Sequence, residues 1–95
     1  MEKNIIFVDV KFRCFLLERL MQELTFFDIK NAVAIDGGKR ISDTRLREIL
    51  QIFADNRIIK KTRMHQRHES GSLLSFIITS KGLKKLEYYK NKLRS

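Results

Sequence analysis

The chain has no proline, a single cysteine and no long apolar run, and each scarcity excludes something. Without proline there is no proline-rich recognition segment and no visible linker. A lone Cys14 closes no internal disulfide and fills no cysteine-rich metal site, although a disulfide to a second copy across a two-fold stays open to it. No apolar stretch approaches the roughly 20 residues that a membrane-spanning helix needs. Ile5 to Val8, behind Met1-Glu2-Lys3-Asn4, is too short for the apolar core of a secretion signal. An intracellular, cytoplasmic location is expected (host cytoplasm, for a viral protein), with no membrane partner. The 95 residues are expected to form one domain, 1–95, with one modest core. Hydrophobic residues at 43% and charged residues at 33% suit a globular fold rather than a disordered tail.

What the chain has in excess is positive charge. Twenty Lys and Arg against eleven Asp and Glu give a formal net charge of +9. Met1 to Gly38 holds five basic and six acidic residues, whereas Lys39 to Ser95 holds fifteen and five. All the excess therefore sits in the second part of one small domain. A one-sided basic surface attracts polyanions, which means nucleic acid or an anionic membrane. The competing explanation is a charge kept for solubility. The completeness of the asymmetry favours nucleic acid.

The hydrophobic period divides the chain. Ile5-Ile6-Phe7-Val8 is apolar and β-branched, so residues 1–9 form an arm or a short strand. Over 10–24 Phe12, Leu16, Leu20 and Leu24 recur every four residues, and Phe15, Leu17 and Met21 widen the stripe of a first helix. Thr25-Phe26-Phe27-Asp28 has the form of a helix start, and Phe26, Ile29 and Val33 mark the inward face of a second helix, 25–35. Asp36-Gly37-Gly38 stops it. A third helix, 42–56, begins at Ser42 as N-cap and buries Leu46, Ile49, Leu50 and Phe53. Asn56 is placed to end it, since Asn tolerates the left-handed conformation. The period then changes to two. Ile58 to Met64 reads as a strand, Glu69-Ser70-Gly71-Ser72 as a turn, and Leu73 to Thr79 as the returning strand of a hairpin, 58–79. Leu74, Phe76 and Ile78 share one face of that strand. Thr79 or Ser80 caps a last helix, 80–94, carrying Leu83, Leu86, Tyr89 and Leu93.

This order, with these residues, resembles the winged helix-turn-helix family. Leu24 to Ile29 is similar to the family's entry into its second helix. Leu46 to Lys61, LREILQIFADNRIIKK, resembles a recognition helix running through a tight stop into the first wing strand. Phe76-Ile77-Ile78-Thr79-Ser80-Lys81-Gly82 is close to the family's aromatic-x-Leu-Thr-x-x-Gly return strand. The resemblance covers about residues 12 to 93. Its most specific part is the last motif. The chain departs at Asn56 and Arg57, where the family usually has Gly and a hydrophobic residue. Short members similar to it are MarR-like and PadR-like regulators and the small regulators of archaeal viruses, plasmids and phages. The resemblance implies an α+β fold, mostly α, with three helices, a two-stranded wing and a C-terminal helix. It also implies binding of double-stranded DNA, with the third helix in the major groove and the wing on the backbone or minor groove.

Helix-turn-helix proteins place the N-terminal part of the second helix on base edges, which here is Lys39 to Gln51, including Arg40 and Ser42. At about 100° per residue, Thr44, Glu48, Gln51 and Asp55 lie opposite the buried stripe, flanked by Arg45 and Arg47. Thr44 and Gln51 are candidate base readers, Gln pairing well with adenine. Arg45 and Arg47 suit guanine or phosphate. Glu48 suits cytosine, with an ion pair to Arg45 or Arg47 as the favoured alternative. In the wing, Lys60, Lys61, Arg63 and Arg67 supply the cation density that a phosphate-tracking ribbon needs. The alternative for these is a charged edge that discourages strand aggregation.

Other chemistry finds little support. His65 and His68 stand three apart, which in a strand places them on opposite faces, so no metal site is expected. No Ser/His/Asp arrangement, complete phosphate loop or paired carboxylate is visible, so neither an enzyme, a cofactor nor a small-molecule ligand is expected. The breadth of the first helix instead suggests a partner chain. Phe12, Phe15, Leu16, Leu17 and Leu20, with Leu86, Tyr89 and Leu93, form the expected interface of a homodimer, against simple packing within the chain. The expected function is sequence-specific DNA binding by a transcriptional regulator. Its rivals are a winged helix used as a protein–protein module, and sequence-independent nucleic-acid binding in replication or packaging.

Overall fold

The computed structural model describes residues 9–36, 40–65 and 72–94. The arm Ile5 to Val8, the Gly37-Gly38 turn with Lys39, and the hairpin tip with Arg67, His68 and the Glu69 to Gly71 turn lie outside the described residues, as do the side chains of Arg63 and His65.

Helix α1 (Val10–Arg19) starts at Asp9, whose carboxylate accepts the Phe12 N–H at 2.8 Å. Such a cap satisfies one of the orphan donors of the first turn. The helix ends short of the expected residue 24. Its C-cap is Leu20, whose carbonyl accepts the N–H of Ile78 at 2.8 Å. That bond draws the chain towards the sheet. Leu24–Thr25 then forms a two-residue strand, β1, paired with Phe76 and Ser75. The four-residue stripe therefore breaks where a tertiary hydrogen bond replaces helical ones.

Helix α2 (Phe26–Ile35) carries a complete capping box. The Thr25 hydroxyl accepts from the Asp28 N–H, and the Asp28 carboxylate accepts from the Thr25 N–H, both at 3.2 Å. Helix α3 (Asp43–Asp55) starts at Ser42, whose hydroxyl accepts the Arg45 N–H at 3.1 Å. Its end corrects one expectation. Asn56 is the C-cap but stays at φ −86°, and Arg57 takes the left-handed conformation at φ 61°. Asn56 is instead buried, and its Nδ2 has no hydrogen-bond partner among the described residues.

Strands β2 (Ile59–His65) and β3 (Ser72–Ile78) pair antiparallel, with Lys61 opposite Phe76 and Thr62 opposite Ser75. With β1 the sheet has three strands in the order β1-β3-β2, one more than the two-stranded wing expected. The wider expectation, α+β and mostly helical with a C-terminal helix after the hairpin, describes the molecule. Along β3, Phe76 is buried and Ile78 partly so, but Leu74 is exposed, because the hairpin extends beyond the core there.

Helix α4 (Ser80–Arg94) is anchored by two residues of the Thr-x-x-Gly motif. The Thr79 hydroxyl accepts the Gly82 N–H at 3.0 Å and lies 2.6 Å from the Arg57 carbonyl and 2.9 Å from that of Ile58, to which it can donate its proton. Gly82 lies so close to Ile58 that a Cβ would stand 2.1 Å from the Ile58 carbonyl oxygen. The first turn of α4 is thus locked onto the start of the wing.

One core joins all four helices to the sheet. It contains Phe12, Leu16, Leu17 and Leu20 of the first segment, Leu86 and Tyr89 of α4, and the Leu46/Ile49/Leu50/Phe53 stripe of α3. This corrects most of the expected dimer interface. Phe12, Leu16, Leu17, Leu20, Leu86 and Tyr89 are at most 4% exposed within the single chain. The first helix is apolar on so much of its circumference because α4 and α2 cover it. Of the expected interface only Phe15, half-buried, and Leu93, exposed, retain free surface. Cys14 is buried in the same core, which closes the route to a disulfide with a second copy. Burial and the neighbouring Glu18 push its thiol pKa up, with Lys90 opposing them.

Candidate nucleic-acid interface

The second and third helices are tied at the corner of the motif by an ion pair, Lys30 to Asp43 at 3.0 Å. It connects the side of α2 to the first turn of α3, where an acid also suits the helix dipole. Arg40 and Ser42, leading into α3, are exposed, and so are Thr44, Arg47, Glu48 and Gln51 on its outer face; Arg45 is partly covered. The periodicity of the sequence therefore identified the outward face correctly. What the side chains do there differs from residue to residue.

The Thr44 hydroxyl has no hydrogen-bond partner among the described residues. Arg47 lays its guanidinium over the ring of Phe26, 4.0 Å from its centroid. The guanidinium makes no hydrogen bond among the described residues, so its N–H donors are open to bidentate recognition. Arg45 pairs with Glu48 at 3.2 Å. That is the ion pair weighed for Glu48 on sequence grounds. An exposed pair of this kind contributes about 0–1 kcal/mol, less than the roughly 1–3 kcal/mol of a good base contact, so it is weak enough to be exchanged for one.

Gln51 is engaged at both ends. Its amide N–H donates to Asp55 at 2.7 Å, and its amide oxygen accepts from the Lys61 ammonium. A bidentate contact with adenine uses both of these groups. Two hydrogen bonds, one to a charged donor, together contribute an amount comparable to that base contact. Thr44 and Arg47 are consequently better placed than Gln51 to read bases. The Lys61 bond has a second effect, since it fixes wing strand β2 to α3.

Adjacent residues of a strand face opposite sides, so Lys60 and Lys61 do not act together. Lys61 meets α3. Lys60 shares the face of Thr62, which belongs to a cluster that sequence reasoning missed. The Glu23 carboxylate accepts from the Thr62 hydroxyl and, at 2.7 Å, from the fully buried Ser75. Thr62 and Ser75 are themselves 2.6 Å apart. The two hydroxyls lower the Glu23 pKa, partly offset by desolvation, and Lys60 lowers it further. Nothing in the local sequence marks this cluster, because its members come from three separate segments.

The charge is not where a basic second half suggests. Helix α3 carries Arg45 and Arg47 against Asp43, Glu48 and Asp55, a net charge of −1. Strand β2 contributes Lys60, Lys61 and Arg63 with no acid. Helix α4 carries six cations against Glu87 alone, a net charge of +5. Among the described residues no three His, Cys, Asp or Glu side chains gather as metal ligands, and no helix is long and apolar enough to cross a membrane.

No family model matches the sequence, and no curated protein matches it. The fold does have solved counterparts. A PadR family transcriptional regulator from Eggerthella lenta aligns with a TM-score of 0.76 at 14% identity, covering 88% of this chain and 72% of that one. A PadR-like transcriptional regulator from Bacillus cereus gives 0.76 at 18% identity, over 85% and 79%. Bacillus subtilis PadR, solved in complex with operator DNA, gives 0.68 at 17% identity, over 82% of this chain and 45% of that one. At these identities the likeness concerns the fold, which is the winged helix of these regulators.

Proposed function

We propose that the protein is a transcriptional regulator that binds double-stranded DNA sequence-specifically, with α3 in the major groove and the wing on the backbone. The carrying observation is the outer face of α3, where, among the described residues, the Thr44 hydroxyl has no partner and Arg47 stands over Phe26 without a hydrogen bond. A wing strand whose cations outnumber its acids, bonded to α3 through Lys61, supports the same reading. So does the shared fold with a protein solved on operator DNA. In this reading Thr44 and Arg47 contact bases, while Arg40, Ser42, Arg45, Lys61, Arg63 and Arg67 contact phosphate.

The regulator acts as a homodimer in this proposal. The contact is not the buried stripe of α1 but the flank of α4 that holds Leu83 and Leu93, 46% and 50% exposed. The two lie roughly 80° apart around the helix, so both fit one interface. Phe15, half-buried on α1, is the other residue of the expected interface that keeps exposed surface.

A gel shift titrated with salt, in the presence of random-sequence competitor, tests the reading. The slope of log affinity on log salt is expected to be about −0.9 per phosphate contacted, hence roughly −4 or steeper for a dimer. A slope near zero contradicts nucleic-acid binding and favours an acidic protein partner.

A further inference from the structure

Helix α4 presents a row of cations that the DNA-reading surface does not use. Its buried face is formed by Gly82, Leu86 and Tyr89. At about 100° per residue, Lys81, Lys84, Lys85, Tyr88 and Lys92 fall within roughly 100° of one another on the other side. The row spans roughly 17 Å along the axis. Tyr88 is its centre, 51% exposed, with the Lys85 and Lys92 ammonium groups 5.7 and 5.0 Å from its ring centroid. Lys81, Lys84 and Lys85 make no salt bridge with any described residue. Glu87, the one acid of the helix, lies off the row.

From this we infer that the outer face of α4 is a second, sequence-independent site for the phosphate backbone of duplex DNA. Charge complementarity selects the occupant. A second copy is repelled from this face, because pairing it with itself sets the Lys81, Lys84, Lys85 and Lys92 ammonium groups of two copies against each other. An anionic bilayer is poorly served, because an interfacial helix needs an apolar face to insert, and that of α4 is buried against α1 and the sheet. The exposed Leu83 and Leu93 lie away from Tyr88. A regular polyanion needs only spaced ammonium groups, and each phosphate neutralised releases counterions. The proposed contact of α3 and the wing with DNA is the premise for a second such site, but the row stands on its own charge.

The test compares binding of a random-sequence 20-base-pair duplex by fluorescence anisotropy across a salt series. The Lys81→Gln/Lys84→Gln/Lys85→Gln/Lys92→Gln variant, checked for fold by circular dichroism, should lose at least tenfold in affinity at about 0.1 M salt. Its salt slope should become shallower by about 3. Replacing the same four lysines with arginine should restore both. An unchanged affinity and slope overturn the inference. So does an unchanged duplex affinity with loss of binding to phosphatidylserine vesicles, which would reassign the row to a membrane. The Arg47→Ala/Lys61→Ala variant separates the two proposals. If it binds a selected target as wild type does while the α4 variant loses random duplex, the second site holds and the placement of α3 fails.

Discussion

Helices α3 and α4 bury apolar stripes in one core, yet their outer faces are built on opposite principles. On α3 nearly every charge has a partner: Asp43 holds Lys30, Glu48 holds Arg45, and Gln51 sits between Asp55 and Lys61. On α4 five lysines and Arg94 stand against one acid, and Lys85 and Lys92 flank the Tyr88 ring. A paired surface orients its side chains and gives up its weak ion pairs only to a ligand that replaces them well, which is the behaviour of a discriminating surface. A surface on which cations far outnumber acids takes any polyanion. Charge density marks where a polyanion is attracted, whereas in the proposed reading sequence is read by Thr44 and Arg47, the two outer side chains of α3 without a hydrogen bond among the described residues.

The largest effects test what the two helices share. Leu50→Ala on α3 and Leu86→Ala on α4 each leave a cavity in the common core and should cost about 2–5 kcal/mol in urea unfolding. If Leu86→Ala instead gave a folded monomer of undiminished stability, the residue would belong to an interface after all. Gly82→Ala drives a Cβ into the Ile58 carbonyl and should cost about 3 kcal/mol, the upper end for overpacking, seen as a lower melting temperature.

The next effects separate the helices. Thr44→Ala and Arg47→Ala should each reduce discrimination between a selected and a random duplex by about 1–3 kcal/mol. Arg63→Ala and Arg67→Ala in the wing should weaken both duplexes alike, with little change in discrimination. If the two pairs behave identically in competition binding, α3 does not lie in the groove.

Smaller effects concern the joints. Arg57 holds φ 61°, which costs a side-chain-bearing residue strain that glycine does not meet. Arg57→Gly should therefore raise stability by about 0.5–1 kcal/mol, with binding changed only by the lost charge. Glu23 titrates below the usual carboxylate range because Thr62 and Ser75 hydrogen-bond its ionised form. A folded pKa below the unfolded one adds stability that is complete above the unfolded value and is lost as pH falls through the folded one. The urea midpoint of wild type should fall below about pH 4, and Glu23→Gln should flatten that fall.

Much of this architecture is legible in the residues. Thr25 and Asp28 announce a capping box, Ser42 announces the start of α3, and the Leu46/Ile49/Leu50/Phe53 spacing orients it. Failures occur where distant parts of the chain decide. Leu20 and Leu24 continue the helical stripe of α1, but the Leu20 carbonyl bonds to Ile78 and Leu24 pairs with Phe76. A two-residue strand has no period to detect. Phe12, Leu16 and Leu17 read as surplus apolar surface because the cover supplied by α4 is more than sixty residues away in the chain. Gln51 reads as a free amide because its partner Lys61 belongs to another element. Halving the chain by charge located a basic half but concealed the acidic balance of α3 within it.

Selection of bound duplexes from a fully random library, by wild type and by Thr44→Ala/Arg47→Ala side by side, tests the central claim most directly. The wild type should enrich one motif, arranged as an inverted repeat with half-sites about one helical turn apart. The double variant should still bind DNA but lose or change that motif. If the wild type enriches no motif, or if the double variant enriches the same motif with equal strength, α3 does not read sequence and the account is contradicted.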